Sequence, residues 1–184
     1  MNSTLSRVNH AVSLVLQWFT ILLMVVLTIV VIVAVLARLM GQSFTWYDEV
    51  AAILLAWVTY YGSALAALHR RHIGFDSVLL SLQVPLRKVA VILAELLIIT
   101  FFVLLAWAGF KVMSILQGMN LVSLPWVPVA FTQSVIPIGA VLFIFCQLLS
   151  FPNYWSKTIR GISLEHAEIE EEVEKEIEKA KERK

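Results

Sequence analysis

Two histidines three residues apart are the first candidates for chemistry in this 184-residue sequence. His69 and His72 enclose Arg70 and Arg71 in the stretch AALHRRHIGFD, directly after a long apolar segment. On a helix such a pair shares a face, so one metal ion could bridge both imidazoles. A structural zinc needs four ligands, however, and the nearby sequence offers only Asp76 and no cysteine. We therefore expect polar anchors at a membrane surface, and no metal, haem or other cofactor.

Glu95 is the one acidic residue well inside an apolar stretch. It follows Lys88 by seven residues, which is about 11 Å along a helix. A carboxylate at such a depth in a membrane is costly and marks a functional candidate. Three interpretations stay open: a coupling acid as in four-span multidrug exporters, an ion pair or hydrogen bond with a neighbouring helix or subunit, and a side chain that snorkels to the surface.

Paired acids begin the second apolar stretch. We expect Thr45 to cap the helix, with Asp48 three residues later in the capping-box position and Trp46 in the aromatic belt. Asp48 and Glu49 both oppose the positive end of the helix dipole, although capping explains Glu49 less well. No nucleophile, metal-ligand set, phosphate-binding loop or nucleotide motif accompanies them. The sequence therefore indicates neither an enzyme nor a nucleic-acid-binding protein.

Hydrophobic composition places the chain in a lipid bilayer. Of its residues 60% are apolar, against about 45–50% in soluble domains. A transmembrane helix needs about 20 mostly apolar residues, and the sequence contains four such stretches. We predict an all-α membrane protein whose membrane domain covers residues 1–155, with transmembrane helices over residues 11–37, 47–68, 89–110 and 129–150.

The basic residues predict the orientation, because cytoplasmic loops carry an excess of Lys and Arg. Two basic residues, Arg38 and Lys111, fall on one side of the membrane. Seven fall on the other side, together with both termini: Arg7, Arg70, Arg71, Arg87, Lys88, Lys157 and Arg160. We therefore expect both termini in the cytoplasm. Residues 75–84 predict a short interfacial helix or a plain connector, and residues 156–184 a charged cytoplasmic helix that is solvated or docks on a partner.

Small residues predict how the helices pack. Gly62 and Ala66 form a small-xxx-small pair in the second span, which lets helices approach closely. Pro137 followed by Gly139 predicts a kink in the fourth span. The single cysteine, Cys146, cannot form an internal disulfide and is expected to be a small buried side chain.

In this order, the elements resemble the small membrane subunit of tripartite ATP-independent periplasmic (TRAP) transporters, the DctQ type. The resemblance rests on TWYDEVAAILLAWVTYYGSALAALHRRHIGFD, on Gly109, on the Leu124-Pro125 turn and on the segment Ile136 to Gly139. It covers roughly residues 8–154. Members of the family often carry Glu-Glu where this chain has Asp-Glu, and the acidic tail lies outside the pattern.

The resemblance implies a role beside a large multi-span subunit of the DctM type in the bacterial inner membrane. That subunit would import an organic acid of the C4-dicarboxylate or sialic acid class, delivered by a periplasmic binding protein and coupled to sodium. The small subunit would be a non-catalytic scaffold. The residues expected at partner interfaces or as anchors in membrane lipid are Trp46, Asp48, Glu49, Gly62, Ala66, His69, Arg70, Arg71, His72, Asp76 and Glu95. The alternative is a self-contained four-helix exporter that uses Glu95 as its coupling acid.

Overall fold

Helices form the regular structure of the chain. The computed structural model describes residues 3–70 and 82–159. In chain order, the helices are α1 (Ser3–Leu39), α2 (Tyr47–Leu68), α3 (Val84–Ile115), α4 (Val129–Gln133) and α5 (Val135–Ile159). Residues 116–128 form a hairpin between α3 and α4, closed by an isolated antiparallel bridge between Asn120 and Pro128. The prediction of an all-α fold is confirmed for the residues described.

Four segments are long and apolar enough to cross a membrane, as predicted: most of α1, α2, α3, and α4 together with α5. α1 has 37 residues and α3 has 32, which correspond to about 55 and 48 Å of helix. Both exceed the hydrocarbon core of about 30 Å, because polar and basic residues continue each helix past its apolar stretch. The predicted spans 11–37 and 89–110 therefore mark only the apolar middle of these helices.

The fourth span is divided. Helix α4 ends at Gln133 and α5 begins at Val135, with Ser134 between them. The interruption lies just before Pro137, whose nitrogen carries no hydrogen to donate to the carbonyl of Gln133. The expected kink therefore has the expected cause, but the helix breaks about one turn before the proline. α5 then continues to Ile159, beyond the predicted end of the span at residue 150.

The long helices form one row in the order α1, α2, α5, α3. α2 packs against α1 on one side and against α5 on the other, and α5 packs in turn against α3. α1 touches α5 only lightly. The row is therefore one helix thick. Although α2 has a neighbour on each side, only 11% of its most apolar 18-residue segment is buried.

The core lies where α1, α2 and α5 meet. Its buried members are Leu16, Ala64, Ala67, Leu68, Phe143 and Cys146. Cys146 is 0% exposed, which confirms the prediction of a small buried side chain.

Two glycines set the spacing between helices. A Cβ on Gly139 of α5 would lie 2.7 Å from the Cβ of Tyr60 on α2. A Cβ on Gly109 of α3 would lie 2.9 Å from the Cδ of Pro137 on α5. Neither distance leaves room for a methyl group, so small residues let the backbones of the row approach closely, as is common in membranes.

Several predictions fall outside the described residues. Arg71, His72 and Asp76 lie within residues 71–81, as does most of the interfacial helix predicted over residues 75–84. The charged tail beyond residue 159 also lies outside.

Candidate functional site

Just after the end of α2, an arginine adopts a backbone conformation that is more typical of glycine. Arg70 follows the C-cap residue His69 and has a φ of 54°. Its N–H donates to the carbonyl of Ala67 at 3.2 Å. α1 ends in a similar turn, but there the left-handed residue is Gly41, with a φ of 79°. For a residue with a Cβ this conformation costs roughly 1–2 kcal/mol, which contacts of the Arg70 side chain must offset.

Each nitrogen of the Arg70 guanidinium has an acceptor on α3 or α5. Nη1 forms an ion pair with Oε1 of Glu95 on α3. Nε donates to the hydroxyl of Ser150 at 2.8 Å, and Nη2 donates to the carbonyl of Gln147 at 2.9 Å, both on α5. We call Arg70, Glu95, Gln147 and Ser150 the Arg70 cluster. It joins the end of α2 to both helices that follow it in the row.

Glu95 is held through both carboxylate oxygens. Oε1 pairs with Arg70, and Oε2 accepts a hydrogen bond of 2.9 Å from Nε2 of Gln147. The side chains of Arg70 and Glu95 are 11% and 10% exposed. A buried charge of this kind is tolerated when it is paired and hydrogen-bonded. The carboxylate is therefore balanced inside the chain.

Aromatic rings complete the surroundings of the guanidinium. Its central carbon lies 4.6 Å from the ring centroid of Tyr154 and 6.0 Å from that of Phe151. Both distances fall within the range of cation–π attraction, about 6 Å. The last turns of α5 therefore hold the Arg70 guanidinium by aromatic contacts as well as by hydrogen bonds.

The structure shows one of the three interpretations of Glu95, an ion pair with a neighbouring helix. It also turns Arg70 inward, whereas the sequence suggested a surface cation. Sequence reasoning missed the roles of Gln147 and Ser150. Their spacing of three residues on α5 was an available signal, since it places two polar side chains on one face of an apolar helix.

His69 joins α2 to α1 beside the cluster. Its Nδ1 lies 3.0 Å from the carbonyl of Leu65, and its Nε2 lies 3.1 Å from the hydroxyl of Ser13 on α1. In the neutral ring, Nδ1–H donates to the carbonyl and Nε2 accepts from Ser13. Within residues 3–70 and 82–159 no group of three or more His, Cys, Asp or Glu is placed to hold a metal ion.

Glu49 anchors the hairpin at the other end of α2, away from the Arg70 cluster. Its Oε2 accepts hydrogen bonds from the backbone N–H of Ser123, at 3.0 Å, and from the hydroxyl of the same residue. These residues are 74 positions apart in the sequence. This contact gives Glu49 a role that capping does not explain.

The predicted cap at Thr45 is wrong. The N-cap residue of α2 is Trp46, and no side chain caps the helix. Because the helix begins one residue later than the capping box requires, Asp48 is the second helical residue rather than the third. Asp48 is exposed.

Gly62 and Ala66 line a groove of about 380 Å³ between α2 and α1, opposite Gln17. A Cβ on Gly62 would lie 3.9 Å from Cγ2 of Thr20, which is an ordinary contact. This small-residue pair therefore packs less tightly within the chain than Gly139 does, and it remains partly exposed.

These features define a class of protein: a multi-pass membrane protein whose helices form an open row around an internal ion pair. The model of one family, described as tripartite ATP-independent periplasmic transporters, DctQ component, matches residues 27–156. The match spans most of the chain, so the chain belongs to the DctQ family, the small membrane subunits of TRAP transporters. The resemblance noted in the sequence is thereby confirmed. A comparison with curated proteins finds no match.

Proposed function

We propose that the chain is a non-catalytic scaffold that holds the large, DctM-type subunit of a TRAP transporter in the bilayer. The observation that carries this proposal is the open row of helices. A four-helix bundle would cover its own apolar residues, whereas a row one helix thick leaves both faces available to a partner. Family membership supplies the partner, since TRAP small subunits associate with a large membrane subunit and a periplasmic binding protein.

Helix α3 illustrates the exposed surface. Phe101, Leu104 and Trp107 are each about 60% exposed, although they lie in the middle of a spanning helix. Exposed apolar surface of this extent is typical of contact with lipid or with another membrane protein. A helix that is apolar on all sides can meet lipid on one face and a subunit on the other.

The charges of the chain favour a scaffold over a carrier. A self-contained exporter would need an acid that can release its proton along a hydrated path. Glu95 is bound by Arg70 on one oxygen and by Gln147 on the other. No specific observation in the described residues favours the exporter.

The further details of this proposal rest on the family and on the charge pattern. The whole transporter would import an organic acid of the C4-dicarboxylate or sialic acid class with sodium, and the large subunit would bind the substrate. The excess of basic residues on the side of the termini favours cytoplasmic termini in the bacterial inner membrane. Under this orientation, Glu49 and the hairpin lie on the periplasmic side, where the binding protein arrives.

The test is recovery of the complex from native membranes. A tagged full-length chain, extracted in mild detergent, should bring down a stoichiometric and much larger multi-span protein, identified by mass. Recovery of the chain only with itself would contradict the scaffold role.

Two substitutions of different size at Gly62 provide a matched control for the recovery experiment. Gly62→Ala fits the contact with Thr20 at 3.9 Å, so recovery should stay normal. Gly62→Leu projects a bulky side chain from this partly exposed face, so a partner that packs there is held off at a cost of about 1–3 kcal/mol, which corresponds to roughly 5- to 160-fold weaker association. Helical content and size-exclusion profile are measured for both variants, so that loss of partner is separated from loss of fold.

A further inference from the structure

A second groove lies between α1 and α5, with Tyr61 of α2 also lining it. Its volume is about 550 Å³. The side chains that line it are apolar or aromatic, and include Ala11, Val15 and Phe19 of α1, Tyr61 of α2, and Leu142 and Phe145 of α5. Val15 is 66% exposed and Phe145 is 49% exposed, so the groove is open along one side. It is distinct from the groove beside Gly62.

The length and the lining of the groove suit an acyl chain. Ala11 and Phe19 are eight residues apart on α1, which gives a length of about 12 Å. An extended hydrocarbon chain that lies along this length meets only apolar and aromatic side chains.

The mouth of the groove is basic. Arg7 is exposed and lies one turn before Ala11, on the same face of α1. Lys157 of α5 lies at the same end of the helices, whereas Lys88 belongs to α3, which α2 and α5 separate from α1. The described carboxylate nearest this end, Glu95, is neutralised by its ion pair. An anionic headgroup placed at Arg7 therefore meets positive charge, with its acyl chain directed into the groove.

We infer that this groove is a binding site for one anionic phospholipid of the bilayer. The acyl chain lies between α1 and α5 over Tyr61, and the phosphate is held at Arg7. Such a lipid fills the gap between α1 and α5 and completes the packing of α1. The inference does not depend on the scaffold role, since it needs only that the chain sits in a membrane.

The test uses the purified full-length chain and native mass spectrometry. The probe is an equimolar mixture of phosphatidylglycerol and phosphatidylcholine with the same acyl chains. We expect one phosphatidylglycerol to be retained in preference to phosphatidylcholine. Arg7→Gln should weaken that retention about fivefold, the factor given by about 1 kcal/mol for one basic residue at an anionic surface. Lys111→Gln, which removes an exposed cation at the opposite end, should leave retention unchanged.

Filling the groove gives a second, independent readout. Val15→Trp should abolish the preferential retention, whereas Val25→Trp, at a 50% exposed position of α1 outside the groove, should not. Ala11→Leu, which narrows the mouth of the groove, is used in place of Val15→Trp if the tryptophan variant aggregates. Equal retention of both lipids by the unmodified chain, or retention unaffected by filling, would overturn the inference. So would efficient cross-linking of a photoreactive residue at position 15 to the large subunit in membranes, because the groove would then hold protein.

Discussion

Removing Arg70 should destabilise the chain strongly, because it breaks a buried ion pair. Arg70→Ala deletes the ion pair and leaves Glu95 buried with one remaining hydrogen bond, from Gln147. The two charged side chains are only 11% and 10% exposed, so solvent screens little of the loss. Breaking a buried pair by removing one partner costs about 3–5 kcal/mol. For a chain of this length that lowers Tm by roughly 6–20 °C.

The backbone of Arg70 refines this prediction. Arg70→Gly loses the same contacts but removes a Cβ from a left-handed conformation, which relieves roughly 1–2 kcal/mol. It should therefore be less destabilising than Arg70→Ala. The double variant Arg70→Gly with Glu95→Leu removes both charges, and replacing a buried pair by apolar groups is often neutral. It should unfold close to the unmodified chain.

The assay is thermal unfolding of the full-length chain in mild detergent, followed by far-ultraviolet circular dichroism. Lys111→Ala is the control, because its ammonium lies 4.7 Å over the ring of Trp107 on an exposed part of α3. It should change Tm very little. The reasoning is refuted if Arg70→Ala unfolds like the unmodified chain, or if the double variant is as unstable as Arg70→Ala.

Two further predictions concern packing and the hairpin. Gly139→Ala should destabilise by about 1–3 kcal/mol, because its methyl would lie 2.7 Å from Cβ of Tyr60. Gly62→Ala should leave stability unchanged or raise it by about 0.5–1 kcal/mol; equal Tm shifts for both variants would contradict this difference in spacing. Glu49→Gln should speed hydrogen exchange of the Ser123 amide, since a carboxylate is the stronger acceptor of its bond of 3.0 Å. The matched variant Asp48→Asn should leave this exchange unchanged. Equal exchange of the Ser123 amide in the unmodified chain and in both variants would rule out the anchoring role of Glu49.

The sequence predicts the fold well because membrane crossing is a local property. A stretch of about 20 apolar residues is recognisable without knowing its neighbours, and four helices appear where four stretches were found. The order of the row is not local. It depends on which glycine meets which side chain, as with Gly139 and Tyr60.

The candidate site was harder to predict for the same reason. Glu95 was identified by its depth, but its partner Arg70 lies 25 residues earlier and looked like an ordinary cation at a helix end. The decisive feature is the left-handed backbone of Arg70, and a residue with a Cβ rarely adopts it. The contact between Glu49 and Ser123 likewise joins the first turn of α2 to a distant hairpin, and composition and periodicity do not connect the two.

The linear order of the helices determines how the chain can come apart. In a closed bundle every helix touches two neighbours around a ring, so no single contact separates the whole. Here the α2–α5 contact is the junction between a half made of α1 and α2 and a half made of α3 and α5. α1 stands at one end of the series and can detach while the remaining three stay together. Opening should therefore proceed in steps, with α1 exchanging its amides first and the helices around Arg70 last.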